Sequence, residues 1–233
     1  MLNTFLTTGR VLITGGGSGL GAAVADKIED AGGTPIILDQ DVTGVGQRLA
    51  YSADVADTRG VEACVRRITA DMSGVDAIIT AAGIDRCGRI DDVSGQDWDR
   101  VIAVNLLGTA AVIRAGLSGL KRSHGRVVTI ASSLALRALP HASAYCASKF
   151  GVLGLSRALA AETKGEIGVT TLIPAGMDTN FFDDRQEQYR PGPDAELNDP
   201  SLVADAVIFA LQQPRGCEVR ELVICHENEP SWP

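Results

Sequence analysis

Short, wholly apolar runs alternate with amphipathic stretches along almost the entire chain. Val11-Leu-Ile13 and Ile36-Ile-Leu38 are of the first kind, as expected for strands covered on both faces in a parallel sheet. Leu20, Val24 and Ile28 recur every four residues and stop at Gly32-Gly33, which marks an amphipathic helix and its end. The pattern predicts strands at 10–14, 35–39, 49–53, 75–80, 125–131, 168–173 and 219–225. Helices are predicted at 19–31, 58–71, 96–120, 143–163 and 200–212. No repeat or linker interrupts them. Strand and helix in alternation predict an α/β protein, a single-domain doubly wound parallel sheet with right-handed crossovers. Residues 178–199, rich in Asp, Gln, Arg and Pro, show little periodicity. A loop that long in a compact domain is usually functional or disordered.

The first strand runs into Thr14-Gly-Gly-Gly-Ser-Gly-Leu-Gly21 and then a helix. Strand, glycine turn and helix make a dinucleotide-binding, Rossmann-type unit. Glycines let the backbone approach a pyrophosphate, and the helix N-terminus presents unpaired N–H groups to it. The spacing here is G-x-x-x-G-x-G rather than G-x-G-x-x-G.

Tyr145 and Lys149 stand four residues apart in Ser143-Ala-Tyr-Cys-Ala-Ser-Lys-Phe150, with Ser132 thirteen residues upstream of the tyrosine. Four residues is about one helical turn, so phenol and ammonium share a face. The charge is expected to lower the phenol pKa, so that Tyr145 exchanges a proton with an alcohol or carbonyl near neutral pH. By itself Ser132 also reads as a strand-end cap, a part that Ser133 fits better.

These residues resemble the short-chain dehydrogenase/reductase family, and the resemblance covers nearly the whole chain. The family's T-G-x-x-x-G-x-G is Thr14 to Gly21, and its Y-x-x-x-K is Tyr145 to Lys149. Its catalytic serine falls on Ser132 and its asparagine on Asn105, and the Asp-Val closing its third strand is Asp54-Val55. The usual N-N-A-G is Thr80-Ala81-Ala82-Gly83 here, and the usual P-G is Pro174-Ala-Gly176. The resemblance implies hydride transfer between a nicotinamide nucleotide and a small alcohol or ketone, with Tyr145 as general acid/base. Ser132 would bind the substrate oxygen and Lys149 the nicotinamide ribose, while Asn105 would anchor a relay water. Gly15, Ser18, Gly19, Leu20 and the Ala81–Gly83 segment would contact the nucleotide. So would Asp54 and Val55 at the adenine and Pro174, Met177 and Thr179 near the carboxamide. The segment at 178–199 would be the substrate flap. Between Asp39 and Asp54 only fourteen residues remain, so the family's usual second helix is cut to about a turn.

Asp39 bears on the choice of nucleotide. It ends the second strand, where a carboxylate accepts from the ribose 2′- and 3′-hydroxyls and repels a 2′-phosphate. Gln40 and Asp41 add no positive charge, and position 18 is Ser where phosphate-preferring relatives often carry a cation. NAD is the expected cofactor.

A chain of 233 residues, 45% hydrophobic, suits one globular domain. Its net charge of −8 argues against nucleic acid and anionic membranes. Met1 to Thr8 lack the charged and apolar regions of a signal peptide. Five cysteines without C-x-x-C spacing read as reduced thiols of a cytoplasmic protein. No metal site is expected, because His124, His141 and His226 have no cysteine at ligand spacing. Val101 to Leu120 approaches membrane-spanning length but is interrupted by Asn105 and Arg114. The helices at 96–120 and 143–163 match the pair at the family's dimer interface, and Val101 to Ile113 is too apolar to sit in water, so a homodimer or homotetramer is expected. Arg86, Arg137 and His141, near the implied substrate cleft, suggest an anionic substrate. Two other classes remain. One is a non-catalytic NAD-binding sensor or scaffold, which a hydride-transfer assay would separate. The other is a nucleotide-sugar epimerase or dehydratase, which would need a larger C-terminal substrate domain.

Overall fold

The computed structural model describes residues 9–229; Met1–Thr8, where no signal peptide is expected, and residues 230–233 lie outside them. Seven parallel strands form one sheet in the order β3-β2-β1-β4-β5-β6-β7. They are β1 (Arg10–Thr14), β2 (Thr34–Asp39), β3 (Leu49–Ser52), β4 (Ala77–Thr80), β5 (Arg126–Ile130), β6 (Gly168–Pro174) and β7 (Glu221–Ile224). The helices are α1 (Gly19–Asp30), α2 (Thr58–Asp71), α3 (Gly95–Ile102), α4 (Thr109–Ser123), α5 (Ser143–Glu162) and α6 (Pro200–Leu211).

The central strands are sealed on both sides, which explains why they read as continuous apolar runs. Val24 and Ile28 of α1 pack with Val203 and Val207 of α6 on one face. Val61, Val65 and Ile68 of α2 pack with Val112 and Leu120 of α4 on the other. The chain between Asp39 and Leu49 has room only for turns, as its length predicts. Strand order reverses at β1, which pairs with β2 on one side and β4 on the other. In open α/β sheets ligands bind beyond the strand ends at such a reversal.

One predicted helix is in fact three pieces. Residues 96–120 form α3, a π-helical turn over Ala103–Gly108, and α4. The wide turn brings Asn105 out of α-helical phase, where its side chain meets the loop after β4. π turns of this kind often mark functional positions. The span Gly95–Ser123 is long and apolar enough to cross a membrane. Yet Val101, Val104, Ala111, Val112 and Ile113 are buried in the subunit's own core. The expectation that Val101 to Ile113 needs a partner subunit for cover is corrected accordingly; the chain's own helices and sheet already cover most of it.

Candidate active site

The glycine loop is packed so closely that side chains are excluded. A Cβ on Gly21 would lie 2.0 Å from the Gly15 carbonyl oxygen, and one on Gly15 would lie 2.6 Å from the Ala82 nitrogen. Gly15 also has φ +69, a left-handed conformation that favours glycine. Ser18 precedes α1 in extended conformation without a side-chain cap, and the first turn carries no acidic residue. The amides and positive end of α1 are thus available to an anion. Asp39 Oδ2 accepts from the Gly17 N–H at 2.9 Å, tying the end of β2 to the loop. A side-chain-free cradle, an open helix N-terminus and a carboxylate beside them fit the pyrophosphate and ribose of a dinucleotide.

The cradle is one end of a cavity of about 550 Å³, a small-molecule site by size. Ser132, Tyr145 and Lys149 line the other end. Tyr145 and Lys149 share a face of α5, with the ammonium 5.5 Å from the phenol ring centroid. Lys149 is buried and donates to the Ile130 carbonyl at 2.9 Å. Burial pulls its pKa down from 10.5 to about 8, opposed by the Asp85 charge. Part of the Tyr145 ring is reachable from the cleft. Even so, desolvation pushes the phenol well above its ordinary value, and the Ser132 hydroxyl, hydrogen-bonded to it, pulls the other way. The expectation of a phenol lowered toward neutral pH is corrected for the protein alone, since desolvation outweighs the Ser132 hydrogen bond and the Arg185 charge that pull the other way. Ser132 Oγ also accepts from Leu134 N at 3.1 Å. The capping role expected of Ser133 therefore belongs to Ser132.

Asn105 lies beneath the cleft and is not part of its lining. Its amide donates to the Ile84 carbonyl and to Ser148 Oγ, both at 2.9 Å, and its oxygen accepts from Ile84 N at 2.8 Å. Ser148 in turn donates to the Tyr145 carbonyl at 2.7 Å. Asn105 thus joins the β4 loop to the turn of α5 that carries Tyr145.

Gly15, Ser18, Gly19, Leu20, Asp39, Val55, Ala81, Ala82, Gly83, Pro174, Met177 and Thr179 all line the cavity. Asp54 does not; its carboxylate turns to Arg100 at 2.8 Å and to Ala56 N at 2.8 Å. Among the candidate cations Arg86 lines the cleft, and its Nη1 donates to the Asp85 carbonyl at 2.9 Å. Arg137 and His141 are outside the lining. His141 instead shares a 2.8 Å hydrogen bond with the Tyr189 hydroxyl. Several lining residues carry no signal in the sequence pattern, namely Asp85, Arg100, Phe181, Phe182, Arg185 and, in the tail, Glu229. Their identity as an acidic loop residue or a flap aromatic is visible in the chain, but not their convergence.

Fold and cleft together define an oxidoreductase built to hold a nicotinamide nucleotide beside a Tyr–Lys–Ser set. The chain belongs to the short-chain dehydrogenase family, whose sequence model matches residues 9–190. It is 36% identical to D-threitol dehydrogenase of Mycolicibacterium smegmatis, over 73% of this chain and 71% of that protein. It is 28% identical to an uncharacterised oxidoreductase of Staphylococcus aureus, over 95% of this chain and 98% of the other. Among solved structures, 3-ketoacyl-(acyl-carrier-protein) reductase from Brucella melitensis complexed with NADH superposes with TM-score 0.84 at 26% identity, over 94% of this chain and 98% of the other. Alcohol dehydrogenase from Thermococcus sibiricus, complexed with 5-hydroxy-NADP, has the same fold: TM-score 0.85, 24% identity, 93% and 96% covered.

Proposed function

We propose that this protein is an NAD-dependent oxidoreductase that moves a hydride between the nicotinamide and the carbinol carbon of a small alcohol or its ketone. The observation that carries it is one cavity with the glycine cradle and Asp39 at one end and Ser132, Tyr145 and Lys149 at the other. When bound, the nucleotide supplies the hydride acceptor, or the hydride itself in reduction. Tyr145 Oη takes the hydroxyl proton in oxidation and returns it in reduction. Ser132 Oγ donates to the substrate oxygen and stabilises charge as it develops. Lys149 holds the nicotinamide ribose and keeps positive charge beside the phenol, while Asn105 fixes the loop and helix that carry the pair. A panel of alcohols and ketones, four-carbon polyols and carboxylated counterparts included, followed by NADH absorbance tests the reading. No hydride transfer to any of them would refute it. Only Arg86 of the three expected cations reaches the cleft, and the other arginines that line it, Arg100 and Arg185, are paired with Asp54 and Asp85, so the substrate is proposed to be neutral.

NAD is expected to bind at least about ten-fold more tightly than NADP, a difference of about 1.4 kcal/mol. Asp39 is the reason: it lines the cleft at the end of β2 with no cation at Gln40 or Asp41. Asp39→Ala should narrow the preference. Fluorescence titration of both reduced cofactors decides, and equal affinities in the wild type would remove Asp39 from this role.

Assembly is proposed through the face of α5 and the π turn. Leu107 and Phe150 stay 49% and 45% exposed there, although large apolar side chains are seldom left in water in a cluster. Leu202 and Phe209, seven residues apart on α6 and 61% and 53% exposed, offer a second face for a tetramer. Sedimentation is expected to show a dimer or tetramer, with Phe150→Glu shifting it toward smaller species. A wild-type monomer at micromolar concentration would count decisively against it. All five cysteines are unpaired, which supports a reducing, cytoplasmic setting.

A further inference from the structure

The cleft contains an ion pair that hydride transfer does not use. Asp85 lies two residues past Gly83, and Arg185 belongs to the flap, 100 residues further on. Arg185 Nη2 donates to Asp85 Oδ2 at 2.7 Å, with the two side chains only 17% and 2% exposed. The Cys87 thiol donates to the same Oδ2 at 3.1 Å, and Arg185 Nη1 donates to the Tyr189 carbonyl at 3.2 Å. Two buried atoms of the pair have no hydrogen-bond partner among the described residues: Asp85 Oδ1 and Arg185 Nε. Leaving such atoms unsatisfied costs about 1–3 kcal/mol each, more when charged, so their survival in a cleft points to a ligand that completes them.

The pair is also placed for substrate. Both residues line the cavity together with Tyr145. The Phe181 ring lies 5.7 Å from the Tyr145 ring and 5.4 Å from the Arg185 guanidinium carbon. Phe182 lies 4.6 Å from that carbon as well, so the two rings hold the guanidinium in place.

The missing partners are one acceptor site and one donor site, on a unit whose charges cancel. An anion entering there would meet Asp85, and a cation would meet Arg185. A hydroxyl carries both a donor and acceptor lone pairs. We propose that Asp85 and Arg185 form a hydroxyl-recognition subsite that makes a vicinal polyol the substrate, in place of a monohydroxy alcohol or a hydroxy acid. Both atoms are closed to solvent in the free protein, so substrate reaches them as the side chains of the pair give way, and a hydroxyl one or two carbons from the reacting carbon then donates to Oδ1 and accepts from Nε, alone or with its neighbour. The pair thereby selects the substrate, and Tyr145 does the chemistry on the adjacent carbinol.

The inference rests on the hydride-transfer reading, and the experiment separates the two. The kcat/KM ratio for a four-carbon tetrol against 2-butanol is measured in the wild type, Asp85→Asn and Arg185→Lys, with NADH affinity measured by fluorescence. Lysine keeps a cation for Oδ2 but has no Nε–H, so a mere flap latch would survive this change and a recognition subsite would not. The wild type is expected to favour the tetrol. Each variant should lower the ratio by about ten-fold or more, mainly through KM, with NADH affinity within a few-fold of the wild type. Calorimetry of the tetrol into the Tyr145→Phe protein with NAD in its oxidised form reads binding without turnover. Tetrol binding that depends on Asp85, but with no hydride transfer in the wild type, would support the subsite and refute the dehydrogenase. The subsite is overturned if the wild type favours 2-butanol or a four-carbon hydroxy acid, or if Arg185→Lys leaves the ratio unchanged.

Discussion

Tyr145→Phe is expected to lower turnover by about a thousand-fold, within the range of general acid–base catalysis, while NADH affinity changes by no more than a few-fold. Phenylalanine keeps the ring against Phe181 and removes only the oxygen. That oxygen is the one acid/base group hydrogen-bonded to Ser132 and on the same face of α5 as Lys149. Burial raises its pKa in the protein alone, so alcohol oxidation, which needs the phenolate, should climb with rising pH. Carbonyl reduction, which needs the phenol, should fall. Stopped-flow and steady-state rates with both cofactors check the loss. More than a few percent of wild-type turnover in the variant would remove Tyr145 from the proton-transfer role.

Lys149→Met is expected to separate activity from stability. Turnover should drop as severely as in Tyr145→Phe, because the cation beside the phenol and the ribose is gone. Stability at neutral pH should rise instead. The folded protein holds Lys149 at about 8 against an ordinary 10.5, so burying the charged form costs about 3 kcal/mol at neutral pH. The lost hydrogen bond to Ile130 offsets about 1.5 kcal/mol or more of that, leaving a net gain of about 1 kcal/mol. Because the folded pKa lies below the unfolded one, the unfolded chain binds more protons between pH 8 and 10.5. Wild-type stability relative to the variant must therefore rise with pH across that window and be flat below it. Denaturant unfolding of both proteins from neutral to alkaline pH measures the difference. A difference that does not change with pH would show that the buried ammonium is not the origin of the effect.

Much of the molecule was legible without tertiary information because its signals are local. Apolar runs such as Ile36-Ile-Leu38 and the four-residue spacing of Leu20, Val24 and Ile28 placed the seven strands, with only end residues shifting by one or two. The need for glycine at 21 follows from a turn encoded in consecutive residues, since a Cβ there would meet Gly15 and Gly16. Tyr145 and Lys149 converge because one helix carries both, and Asp39 stands at a strand end that the apolar run itself defines.

Other features required the chain to close on itself. The π turn at Ala103–Gly108 shifts helical phase in a way that hydrophobic periodicity does not resolve, and with it came the place of Asn105 between loop and helix. Whether Val101 to Ile113 needed a partner subunit depended on how much the chain's own helices and sheet already covered. The pKa directions of Tyr145 and Lys149 came from burial, which sequence spacing does not measure, and there desolvation outweighs a neighbouring charge. The pairing of Asp85 with Arg185 joins residues 100 positions apart, from two loops with no periodic pattern. Local chemistry thus determined the scaffold, the glycine loop before α1 and the placing of Tyr145 beside Lys149. The proposed substrate subsite depends on tertiary structure, because residues 178–199 and the loop after β4 come together only in the folded chain.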